Sequence, residues 1–211
     1  MIYKSVVGSQ TYGLSRDYSD LDVAVVSDRK FSREAFRRNG EDLYLWTPNE
    51  FAMLQQGDSH SWVVYQMLFP HEFIIENDLS NWLTDHREEL VKSLLPSTYK
   101  TYMAICDYMA QNSRGKNKHI AYAIHFRNML ANYAEGMPFA EAIKATGDCR
   151  TFLLSVRNGI APKELVIEEN ANARERAKAV AGFYAEPKAD LAILDEFKHM
   201  VYKEAKKLQE N

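Results

Sequence analysis

The chain has 211 residues, enough for one large domain or two small ones with a core of ordinary size. Apolar residues make up 46% and charged residues 26%, the composition of an ordinary globular protein. The net charge of −3 gives no reason to expect a surface that coats nucleic acid along its whole length, although a local basic groove stays open.

The opening "MIYKSVVGS" lacks the long apolar run of a signal peptide, and no stretch approaches the ~20 apolar residues of a membrane span, so no membrane partner is expected. Cys106 and Cys149 are the only cysteines and have no metal-type spacing, which suggests a reducing, cytoplasmic setting. "IYKSVVG" is a β-branched run that reads as a first strand, and "LDVAVVS" as a second. "DRKFSREAFRRN" reads as a connecting segment with some helical character. "GEDLYLWT" follows the Asn39-Gly40 turn signal as a third strand. Pro48 starts a helix, "PNEFAMLQQG", that Gly57 stops. "SWVVYQMLF" is strongly apolar, and "HEFIIEN" reads as a further strand or extended edge.

Past about residue 78 the apolar spacing turns helical, in "LSNWLTDHREELVKSLL", "PSTYKTYMAICDYMAQN", "HIAYAIHFRNMLANYAEG", "NARERAKAVAGFY" and "ADLAILDEFKHMVYKEAKKL". The expected fold class is therefore α+β: a small sheet with helices over residues 1–75, followed by a helical domain over residues 76–211.

The chemistry concentrates in "GSQTYGLSRDYSDLD", residues 8–22. In a strand, Asp20 and Asp22 project to one face while Leu21 points to the other. Two neighbouring carboxylates repel each other and are kept cheaply where a cation or solvent neutralises them. An all-oxygen donor set favours Mg²⁺ or Mn²⁺. The plainer alternative is a solvated turn with Ser19 as its cap. Gly8 and Ser9 follow the first strand and open a helical turn whose N–H groups would face an anion. Asp42, at the start of the third strand, supplies a third carboxylate.

The string G-S-x-x-Y-G-x-x-x-x-x-S-D-x-D, carried by Gly8, Ser9, Tyr12, Gly13, Ser19, Asp20 and Asp22, resembles the polymerase-β-type nucleotidyltransferases. Among them it looks like the RNA-repair-pathway group common in bacteria and phages. Asp42 with "LYLWTPNEF", the helix "KHIAYAIHFRNMLANYAEGMP" and "FLLSVRNG" are similar to later elements of that group. The short interval between Asp22 and Asp42 departs from it, as does His125 two residues before Arg127. The resemblance implies a polymerase-β-like sheet domain and metal-dependent transfer of NMP from an NTP to a hydroxyl, with release of pyrophosphate. The acceptor would be an RNA end or a protein. Two Mg²⁺ or Mn²⁺ ions would be held by Asp20, Asp22 and Asp42, and Asp42 could also act as general base. Gly8 and Ser9 would seat the β- and γ-phosphates.

Arg16 lies between the turn and the acidic pair, where a phosphate contact and a surface role are both open. Tyr12 is expected to pack against the sheet. "SRGKNKH" is the most basic short loop, and its Lys118, with Arg127 beyond it, would suit a triphosphate or an RNA backbone. Arg127 and Arg157 sit in apolar stretches and need partners; a ligand is expected for Arg127 and a structural partner for Arg157. His60, His71 and His86 lack metal-ligand spacing. A different class of function remains open: a non-catalytic nucleotide- or RNA-binding module, or an antitoxin-like regulator, that retains the fold.

Overall fold

The β-branched stretch "LDVAVV" forms β2 (Leu21–Val26), and residues 23–26 are buried on both faces of the pleat. A strand buried on both faces is a central strand. It pairs antiparallel with β1 (Tyr3–Val6) on one side and parallel with β4 (Glu41–Trp46) on the other. β3 (Ala35–Arg38) and β5 (Glu72–Phe73) complete a mixed sheet of order β3-β4-β2-β1-β5. The computed structural model describes residues 1–27, 35–38, 41–53, 62–111 and 116–210, with 35–38 and residue 110 as backbone. The Asn39-Gly40 turn, the helix stop at Gly57, His60, and the Ser113–Arg114 start of the basic loop lie outside these residues.

Over residues 35–38, β3 replaces the helical character expected of "DRKFSREAFRRN"; the rest of that segment lies outside the described residues. Its sequence "AFRR" has no period-2 alternation, and the strand exists by pairing antiparallel with β4, where Arg37 stands in register with Asp42 and Arg38 with Glu41.

The chain forms two compact units, Met1–Leu94 with Lys188–Asn211, and Leu95–Pro187. The expected division at residue 75 gave α3 (Asp78–Ser93) and α9 (Ala192–Glu210) to the helical half, and both belong with the sheet. Their apolar faces explain this. α9 buries Ile193, Phe197 and Val201, and Phe197 packs edge-on against Phe51 of α1 (Pro48–Met53) at 5.1 Å. Phe51 in turn meets Tyr3 of β1 at 5.4 Å, while Trp82 of α3 lies 6.1 Å from Phe197. α3 begins with a capping box between Asn77 and Ser80, and the Asn77 amide donates to the carbonyl of Ile2 at 2.8 Å. Lys203 and Lys207 of α9 both reach Asp78 in the first turn of α3.

The second unit is helical and centres on α5 (Asn117–Ala134), which is buried on most of its circumference. α4 (Leu95–Gln111), α7 (Gly147–Arg157) and α8 (Lys163–Ala179) pack around it, with the short α6 (Phe139–Ala142) and a 3-10 turn at Ala181–Tyr184. α8 starts well before the "NARERAKAVAGFY" stretch that announces it. Its first half, "KELVIEEN", is too polar for the apolar periodicity to register. The α+β class stands. Among the described residues, no helix is long and apolar enough to cross a membrane.

Candidate functional site

β2 and β4 run parallel with Asp22 opposite Asp42 and Ala24 opposite Tyr44. Neighbouring strands lie about 4.8 Å apart, and residues in register on a parallel pair share a face. Asp22 and Asp42, both half-buried, are therefore adjacent carboxylates on one face of the sheet. Two residues further along that face, the Tyr44 hydroxyl donates to Asp22 Oδ1 at 3.3 Å. The small Ala24 beside Tyr44 leaves room on this face for the phenol ring.

Gly8 meets this pair from the end of β1. Val7 N donates to the Asp22 carbonyl at 2.9 Å, and the chain then turns at Gly8 with φ of 71°. A Cβ on Gly8 would overlap the Asp22 carboxylate, so glycine is required both by the left-handed backbone and by the close approach. Residues 8–13 make one helical turn, with Leu14 N donating to Ser9 O and Gly13 N to Gln10 O. Gly13, at φ of 67°, ends it as a Schellman motif. Ser9 is buried next to Gly8, and Tyr12 is fully buried with its ring stacked at 6.1 Å on Trp62, a helix residue and not part of the sheet expected to receive it. The Gly8 N–H was expected to face a phosphate. It donates instead to Oε1 of Gln66, a buried side chain of α2 (Trp62–Leu68).

Asp20 stands apart from the pair. Arg16 to Ser19 forms a tight turn in which Ser19 N donates to Arg16 O and Arg16 N to Ser19 Oγ, each at 2.8 Å. Asp20 leaves this turn exposed, one residue before β2 begins. The alternation that would carry Asp20 to the face of Asp22 holds only inside a strand. Among the described residues no three His, Cys, Asp or Glu side chains converge into a metal-binding group. Mg²⁺ commonly takes one or two carboxylates and completes its shell with water and phosphate. The Asp22–Asp42 pair thus suits one hard cation, and the expected three-carboxylate set is not assembled. The Arg16 guanidinium lies over the Tyr18 ring, 4.3 Å from its centroid.

The other predicted residues belong to the helical unit. Lys118 is exposed on the first turn of α5, and its ammonium sits 5.9 Å from the Tyr122 ring, which Arg157 also faces at 5.8 Å. Arg127 differs from the expectation of a nucleotide contact. It is 1% exposed, donates to Asn170 Oδ1 at 2.8 Å, and pairs with Asp107 at 3.4 Å. A buried guanidinium needs partners, and the bundle supplies them from α8 and α4. His86 stacks on Trp82 within α3, and His71 is exposed.

Two residues at the acidic face escaped the sequence reading. Tyr44 was hidden in "LYLW", where an aromatic reads as ordinary strand packing. Gln66 left a signal: one amide in the otherwise apolar "WVVYQML". The helical unit carries two concavities of about 400 and 310 Å³ that share Asn128, Asn132 and Cys149, and none of the predicted site residues lines either. No family model, no curated protein and no solved structure matches the chain.

Proposed function

We propose that the chain is a metal-dependent nucleotidyltransferase that moves NMP from an NTP to a hydroxyl acceptor, an RNA end or a protein, and releases pyrophosphate. The observation that carries this reading is the apposition of the Gly8 turn, the Asp22 carboxylate and its register partner Asp42. Two adjacent carboxylates offer an oxygen-only donor set of the kind that Mg²⁺ and Mn²⁺ prefer. Asp22 and Asp42 would hold Mg²⁺ or Mn²⁺, and a second ion would require Asp20 to turn in toward them. A bound cation would supply charge neutralisation at the phosphate oxygens.

The chain's own groups would then do the rest. The bare backbone at Gly8 gives the Asp22 carboxylate its place against the turn, with Ser9 beside it. Tyr44 holds Asp22 by its hydroxyl. Asp42 would take the proton of the attacking hydroxyl as the new P–O bond forms and the α–β phosphoanhydride breaks, with pyrophosphate leaving. Arg16, whose guanidinium lies over the Tyr18 ring, is a further candidate for nucleotide contact. A cytoplasmic setting belongs to the same proposal and agrees with the free thiols of Cys106 and Cys149.

The lack of a three-carboxylate group among the described residues favours one other reading, a nucleotide- or RNA-binding module that does not use metal. Thermal melts separate the two. Nucleotidyl transfer predicts stabilisation by NTP with Mg²⁺ that EDTA removes and that Asp22→Ala with Asp42→Ala abolishes. Stabilisation by NTP or RNA that is indifferent to EDTA would overturn it in favour of the binding module.

A further inference from the structure

Gln66 is 1% exposed on a helix whose other buried residues are Val63, Val64, Tyr65, Met67 and Leu68. An amide in such a place is costly unless its polar atoms are bonded, and a methionine would fill the same space at no such cost. Its oxygen accepts the Gly8 N–H across 58 residues of sequence. Gly8 in turn touches the Asp22 carboxylate so closely that no side chain fits between them.

We propose that Gln66 is a positioning residue for the acidic site, an inference that rests on the nucleotidyltransferase reading above. By taking the Gly8 N–H it pins the left-handed backbone of Gly8 against Asp22 and fixes where the carboxylate can swing. α2, which contributes no group to the reaction, thereby sets the geometry at the metal-binding face. The bond also commits the Gly8 N–H to the protein interior, so the turn meets a phosphate without that donor.

The test uses the full ¹⁵N-labelled chain, with Mn²⁺ alone as the probe, and compares wild type, Gln66→Met and Val64→Ala. Val64 is fully buried on the same helix, so its variant loosens the core while keeping the Gln66 side chain that accepts from Gly8. Two quantities are read: hydrogen exchange at the Gly8 amide, and the Mn²⁺ concentration that broadens the Gly8 and Val23 amide signals. In wild type and Val64→Ala the Gly8 amide exchanges slowly and broadening sets in at the same Mn²⁺ concentration. In Gln66→Met, Gly8 exchange rises about tenfold and the Mn²⁺ midpoint moves up by about tenfold, the scale set by loss of one buried hydrogen bond.

A folded Gln66→Met with the wild-type Mn²⁺ midpoint overturns the positioning role and leaves the nucleotidyltransferase reading standing. Absence of broadening in wild type up to millimolar Mn²⁺ removes that reading, and the positioning role with it. If Gln66→Met does not fold, wild type decides alone: a Gly8 amide that exchanges as fast as an exposed loop residue overturns the proposal, and one that is protected and slows further with diamagnetic Mg²⁺ upholds it.

Discussion

The sheet unit and the helical unit handle charge in opposite ways. In the helical unit, Arg127 is buried with its guanidinium shared between Asn170 and Asp107. At the surface of the same unit, Arg176 is held by Glu135, Asn132 and Asn128. Each of these cations meets an acid and an amide. On the sheet, β2 and β4 bring two carboxylates into register on one face and set a glycine turn against one of them. Opposite charges meet inside the bundle, whereas on the sheet two carboxylates share one face, with Arg37 in register on the far side of Asp42.

The largest effect that would break this comparison is expected at Gly8. Gly8→Ala must adopt a positive φ, a strain of roughly 1–3 kcal/mol by itself, and in addition overlap Asp22, so it should abolish Mn²⁺ binding as well as lower the melting temperature. Retention of wild-type Mn²⁺ binding by this variant would dissociate the turn from the acids. Arg127→Ala should cost about 2–4 kcal/mol in denaturant melts, since it removes a buried side chain with its hydrogen bonds, yet leave the Mn²⁺ midpoint where it was. A shifted midpoint would mean that the helical unit takes part in the acidic site.

A third test sharpens the architectural half. His125 is buried in α5 and bonded to the carbonyl of Ile143 at 2.9 Å, and burial lowers its pKa to about 4. An imidazole in the unfolded chain titrates at about 6.5, so between these values the unfolded state binds the extra proton. The contribution of neutral His125 is fully present above about pH 6.5 and is lost as pH falls toward 4, by ~3 kcal/mol at most. His125→Gln should flatten that part of the stability profile, measured by urea melts across the window. The smallest effect is expected for Tyr44→Phe. Loss of its long hydrogen bond to Asp22 should cost about 0.5–1 kcal/mol of stability and reduce any transfer rate several-fold without changing the fold.

The sequence made the central parts of both units legible, and for identifiable reasons. β2 and β4 were readable because β-branched and aromatic residues follow acidic starts, and α5 because its apolar residues run on a helical period. β3 was not, because "AFRR" owes its strand to its partner and carries no alternation of its own. The return of α9 to the sheet was equally hidden, since nothing in an amphipathic helix states which core its apolar face will enter. On the sheet, Gly8 lies against Asp22 and Asp22 stands in register with Asp42, as the motif spacing suggested, whereas Asp20 precedes the strand by one residue. Gln66 was visible as an amide in an apolar run, but only the fold reveals that its partner is Gly8.

The central claim is chemical, and one assay addresses it most directly. The purified chain is incubated with each α-³²P-labelled NTP, Mg²⁺ or Mn²⁺, and total RNA or cell protein, beside the Asp22→Asn/Asp42→Asn double variant. The account predicts label on an RNA or protein band with wild type, lost with EDTA and absent from the variant. Label that persists in the variant, or no label together with no metal-dependent NTP binding, would contradict it.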